Sequence, residues 1–89
     1  MVTKQITIIN RLGLHARAAA KFITEAGQYS STIQLIRDAK PANGKSIMEV
    51  MMLAASQGTE LTLTTEGDDE IEAANALEAL VNDRFGEPE

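Results

Sequence analysis

VTKQITIINRLGLHARAAAKFITEAG, residues 2–27, changes its hydrophobic period once, and the change decides the fold. From Val2 to Ile9 the chain alternates, with Ile6 and Ile8 on one side and Thr3, Gln5 and Thr7 on the other, which predicts a strand with one buried face. After Asn10, Arg11, Leu12 and Gly13, residues 16–26 are rich in strong helix formers, and Gly27 follows as a stop signal. Ala19, Phe22, Ile23 and Ala26 recur at helical spacing, so the predicted helix has one apolar side. A half-buried strand followed by a one-sided helix places both against a single core.

The remaining text repeats this alternation of periods. Residues 32–37 alternate through Ile33 and Leu35, and Asp38-Ala-Lys leads to a short segment, 41–43, that reads as a weak edge strand because of Pro41. Ser46 opens a second helix, from Ile47 to about Ala55, with Glu49 at the spacing of a capping box and Gly58 at the exit. Residues 60–65 point Leu61 and Leu63 inward against Thr62 and Thr64. Glu66-Gly-Asp-Asp then turns into a last helix, with Ala73, Ala74, Leu77, Leu80 and Val81 on one side, ending near Arg84 before Gly86. The predicted order is βαββαβα: an α+β open-faced sandwich, a four-stranded antiparallel sheet covered on one face by three helices.

Eighty-nine residues amount to one domain, spanning 1–89, and 44% hydrophobic content suffices for one compact core. Without cysteine there is no disulfide framework, thiolate metal site or cysteine nucleophile, and a single histidine excludes a multi-histidine metal cluster. No apolar run approaches the ~18 residues of a membrane span, and the chain starts without a signal-peptide core, so a cytoplasmic protein is expected. A net charge of −5 and 3% aromatics argue against nucleic acid as a partner. The charge is unevenly spread: residues 1–65 carry seven basic and four acidic side chains, whereas residues 66–89 carry one basic and nine acidic. An anion site is therefore expected in the first two thirds.

His15 lies where the first helix begins, and no Ser, Thr, Asp or Asn stands between Gly13 and Ala18 to cap it. Free backbone N–H groups at Ala16, Arg17 and Ala18 and the positive end of the helix dipole favour an anion there. Arg17 and Lys21, spaced i, i+4, add two cations on one face. The positive helix end favours a neutral, nucleophilic imidazole. No nearby Asp, Glu, Ser or Lys forms a sequence-visible acid/base pair with His15, so a complete hydrolase or kinase site is not supported. A lone nucleophile among anion donors suits a group that is received and passed on. The plainer reading makes His15 an unusual cap and Arg17 a solvated side chain.

Leu12-Gly-Leu-His15-Ala-Arg17-Ala-Ala-Ala-Lys-Phe22 and Gly44-Lys-Ser46-Ile-Met-Glu-Val-Met-Met-Leu-Ala-Ala-Ser-Gln-Gly58 resemble HPr, the histidine phosphocarrier of the bacterial phosphoenolpyruvate-dependent phosphotransferase system. The match runs in register from about Lys4 to Arg84. It implies the same open-faced sandwich and a phosphoryl group taken on Nδ1 of His15 from phosphorylated Enzyme I, with Arg17 neutralising its charge, then delivery to an EIIA-type domain. It implies no metal and no cofactor. Ala18 stands where the family usually has proline, which restores one N–H donor in the first helical turn. Within the family the Ala-rich helix and the Met-Met-Leu-Ala-Ala run are similar to the nitrogen-related branch, and the sugar and nitrogen branches are not separated by the sequence. A competing reading is a regulatory binding module whose phosphorylation state controls a partner with little flux.

Ser46 reads as a helix cap, and in some members of the resembled family this serine is phosphorylated by HPr kinase/phosphorylase. The stripe Ile47, Met48, Met51 and Met52 is too continuous to point wholly inward on a short helix, whereas Val50 and Leu53 are expected in the core. With Lys21, the outward members Ile47, Met48 and Met51 are candidate docking residues, since flexible methionine surfaces suit several partners. A monomer acting by transient encounters is expected, and the acidic side of the last helix reads as a solvated face.

Overall fold

The computed structural model describes residues 1–89. The elements are β1 (Val2–Thr7), α1 (Ala16–Ala26), β2 (Thr32–Arg37), β3 (Lys40–Asn43), α2 (Ile47–Met52), β4 (Glu60–Glu66) and α3 (Glu70–Asn82), followed by a 3-10 turn over Arg84–Gly86. The sheet order is β1-β4-β2-β3 with every pairing antiparallel. β4 thus threads between β1 and β2, and the Pro41 strand takes an edge, where a missing N–H costs no ladder bond.

The alternation settles which face is buried. Ile6, Ile8, Ile33, Leu35, Leu61 and Leu63 point to the helices, while Thr3, Gln5, Thr32 and Gln34 stay exposed. On the open face Gln5 and Thr62, paired across β1 and β4, exchange a side-chain hydrogen bond of 3.0 Å. Helix residues Ala19, Phe22, Val50, Leu77 and Val81 complete one cluster of 19 buried residues. Full burial of a side chain such as Phe22 contributes about 1.5–3 kcal/mol, so this cluster outweighs any single surface contact.

The boundaries differ from the sequence reading where tertiary partners decide them. α2 stops at Met52 rather than about Ala55, because Ala54 takes a left-handed φ of 51°. Arg37, at the end of β2, donates to the freed carbonyls of Leu53 (2.7 Å) and Ala54 (2.9 Å) and so satisfies that helix end. α3 ends at Asn82, before Arg84, and the chain reverses through left-handed Arg84 and Phe85, the latter fully buried. Asp69, which opens α3, does not cap that helix with its side chain. Its carboxylate instead accepts from Ser30 N–H at 2.8 Å, from Ser31 N–H at 3.0 Å and from the Ser31 hydroxyl, tying the start of β2 to α3. These bonds, the Ser31 hydroxyl first, hold the Asp69 carboxyl below its usual value despite partial burial.

Candidate functional site

The loop between β1 and α1 presents His15. Gly13, at φ 70°, crosses the loop after α2 so closely that a Cβ would lie 2.6 Å from the Ala55 carbonyl oxygen. Leu14 N–H bonds to that same carbonyl at 2.8 Å, which fixes the residue before His15. His15 is the N-cap of α1 with extended backbone (φ −73°, ψ 178°). The imidazole itself fills the capping position, its side chain accepting from Arg17 N–H.

The two ring nitrogens have different partners. Arg17 N–H donates to Nδ1 at 3.3 Å, so Nδ1 carries a lone pair. Nε2 pairs with Oε2 of Glu87, a carboxylate that needs a donor, so the ring proton lies on Nε2. The imidazole side chain is 27% exposed and that of Glu87 only 12%. Of the three N–H groups expected to face an anion, Arg17's is engaged with Nδ1 and Ala16's is exposed without a protein acceptor, while Ala18 is fully buried.

Glu87 is the residue that sequence reasoning missed. It lies 72 positions from His15 and outside the two sequence blocks that carry the HPr-like motifs. The charge distribution points to the first two thirds of the chain alone, yet Glu87, Pro88 and Glu89 line the cleft at His15 together with Arg11, Leu12 and Arg17. Arg11 N–H donates to the Glu89 carbonyl at 2.8 Å, and its guanidinium pairs with the Glu89 carboxylate at 2.9 Å. Burial pushes the Glu87 carboxyl up, but hydrogen bonds from Asn10 and His15 and the charge of Lys21 prevail and hold it below its usual value. Asn10, fully buried, donates through Nδ2 to the Gly13 carbonyl (2.7 Å) and to Glu87 Oε1 (3.0 Å).

Lys21 does not line this cleft. Its ammonium donates to the Phe85 carbonyl at 2.7 Å and anchors the chain reversal to α1. Ser46 Oγ accepts from Glu49 N–H at 3.3 Å, but the box is not reciprocal, since Glu49 Oε1 takes Asn43 N–H at 2.9 Å. Ile47, Met48, Met51 and Met52 are all exposed, Met48 at 71%, with Val50 and Leu53 buried beneath. No group of three or more potential metal-ligating side chains is present.

Fold and site together define a class, an open-faced sandwich that presents one imidazole at a helix start with its Nδ1 lone pair turned to the helix end. Residues 2–83 match the family described as the PTS HPr component phosphorylation site. Over the whole of both chains, 57% of positions are identical to the phosphocarrier protein HPr of Pseudomonas aeruginosa and 52% to that of Cupriavidus necator. The crystal structure of HPr-C-His from Thermoanaerobacter tengcongensis superposes with a TM-score of 0.97 at 47% identity, covering all of both chains. Crh of Bacillus subtilis, solved as a swapped dimer, gives a TM-score of 0.76 at 44% identity over 94% of this chain and 97% of its own. The chain belongs to the HPr family of phosphocarrier proteins of the phosphotransferase system.

Proposed function

We propose that residues 1–89 act as a single cytoplasmic phosphocarrier domain, accepting a phosphoryl group on Nδ1 of His15 from phosphorylated Enzyme I and passing it to an EIIA-type domain. The observation that carries this reading is the Nδ1 lone pair facing the start of α1 beside Arg17, in the family's own register. In acceptance that lone pair forms the N–P bond as the bond from phosphorus to the donor breaks, the electron pair remaining on the donor. Nδ1 then ceases to accept from Arg17 N–H, which turns to a phosphoryl oxygen, with the exposed Ala16 N–H beside it. The Arg17 guanidinium neutralises the group as it arrives and leaves, since a loose transition state is stabilised by preorganised charge.

Docking uses the exposed face of α2, and the protein works as a monomer in transient encounters. Ser46 lies at the edge of that face, where HPr kinase/phosphorylase would act. The direct test is phosphoryl labelling from phosphoenolpyruvate and Enzyme I. His15→Ala abolishes acid-labile, base-stable label, and Arg17→Lys slows transfer with little change in folding, because a point charge replaces the planar donor fork. Label accepted by His15→Ala at the parent rate overturns the reading.

A further inference from the structure

We propose that Glu87 is a positioning residue for transfer: clamped by Asn10, its carboxylate keeps the proton on His15 Nε2 while the phosphoryl group enters and leaves Nδ1. The inference rests on the phosphocarrier reading and adds a residue to it.

Both carboxylate oxygens are committed, Oε2 to His15 Nε2 and Oε1 to the buried Asn10 amide at 3.0 Å. Asn10 spends its other amide hydrogen on the Gly13 carbonyl at 2.7 Å, so one side chain ties the turn that carries His15 to the carboxylate that orients it. Asn10 Oδ1 is left buried without a partner. A flipped amide would turn that oxygen toward two acceptors, so the orphan is what this clamp requires. The chain on either side of Glu87 is pinned as well, by the buried Phe85 ring with its carbonyl on Lys21, and by Glu89 on Arg11.

The chemistry explains why a carboxylate belongs there. When neutral His15 accepts phosphorus on Nδ1, the ring carries a substituent on each nitrogen and becomes an imidazolium. Glu87 faces that new positive charge at its Nε2–H. On return the N–P electron pair goes back to Nδ1, and the leaving group is a neutral imidazole with its proton still on Nε2. Loss of that proton would make the leaving group an imidazolate, a far poorer one. The carboxylate thus acts through the ring, as a buried acid orients and charge-balances a catalytic imidazole elsewhere. The other charges around the His15 cleft are Arg17 on α1, Arg11 in the preceding loop and Glu89 in the tail, with Lys21 acting on Glu87 from α1.

The test compares the parent protein with Glu87→Gln by ¹⁵N spectroscopy of the His15 ring and by phosphoryl return to an EIIA-type acceptor across pH. Glutamine keeps the size and an accepting oxygen but removes the charge. The expected results are a changed Nε2 resonance, acceptance slowed about tenfold, as when an imidazole loses its orienting partner, and an alkaline fall-off of return moved about one pH unit lower, the scale of a lost neighbouring charge. A slower rate with an unmoved pH course means that Glu87 only holds the tail and overturns the proposal. So do unchanged ring resonances. The carrier reading stands or falls separately on the labelling of His15→Ala.

Discussion

Gly13 packs against Ser56 with no room for a side chain, since a methyl group at Gly13 would lie 2.9 Å from the Ser56 Cα and closer still to the Ala55 carbonyl oxygen. The clash is with the backbone of the loop after α2, which cannot swing aside as a flexible side chain could. The glycine also holds a left-handed φ of 70°. Gly13→Ala therefore costs at least about 2 kcal/mol, combining the left-handed penalty with overpacking. The displaced loop moves His15, so transfer from Enzyme I slows beyond what lost stability explains. Chemical denaturation with transfer rates measured under fully folded conditions checks both; a parent-like stability contradicts the close approach.

Acid should weaken the fold through identified carboxylates. Asp69, Glu70 and Glu87 are each held below their usual values, Asp69 chiefly by the Ser31 hydroxyl, Glu70 by Gly67 N–H, and Glu87 by Asn10 and His15 against its burial. The unfolded chain therefore binds protons at higher pH than the folded one. Their stabilisation is fully present above the ordinary carboxylate range of about 4 and is lost as the pH falls through the lowered folded values. Melting temperature should drop steeply below about pH 4, and Asp69→Asn should flatten part of that drop. An unchanged acid slope in this variant removes Asp69 from the account.

How much of this was legible follows from the range over which each feature is encoded. The strands were readable because alternation is local: Ile6 with Ile8, Ile33 with Leu35 and Leu61 with Leu63 each announce a buried face within a few residues. α1 was readable for the same reason, and its family motif placed His15 at the helix start. The end of α2 was not, because a left-handed alanine has no sequence signal and Arg37, its partner, lies sixteen positions from Leu53. Asp69 spends its carboxylate on Ser30 and Ser31, thirty-nine and thirty-eight positions away, a pairing with no local signal. Glu87 was hidden by composition, being one acid among nine in a stretch that reads as a solvated surface.

Docking should depend on both the apolar face of α2 and the charge beside it. Met48 and Met51 are exposed with Ile47 and Leu12, and Arg17 stands exposed at the start of α1. Transfer from Enzyme I is expected to slow several-fold between low and physiological salt, as steering by exposed charge is screened beyond ~8–10 Å. The double variant Met48→Ala and Met51→Ala should raise KM for Enzyme I with little effect on melting, because neither side chain is in the core. Salt-independent transfer, or unchanged KM in the double variant, removes this face from the docking surface.

Ser46 separates a structural role from a regulatory one, because a cap and a charge respond differently to the same two substitutions. Its hydroxyl accepts from Glu49 N–H at a long 3.3 Å, and Glu49 returns no bond, so the cap is half of the box that its spacing suggests. Ser46→Ala should therefore fall toward the lower end of cap losses, about 0.5–1 kcal/mol, and leave transfer nearly intact. Ser46→Asp keeps an accepting oxygen and sets a negative charge at the positive end of α2, which preserves or raises stability. The same charge stands next to Ile47 and Met48, on the face proposed to meet acidic partners, and like-charge repulsion there slows transfer. Thermal melting and transfer kinetics on both variants decide the matter. If Ser46→Asp transfers as fast as the parent protein, α2 does not take part in docking, and a phosphate on Ser46 could not regulate transfer by repulsion.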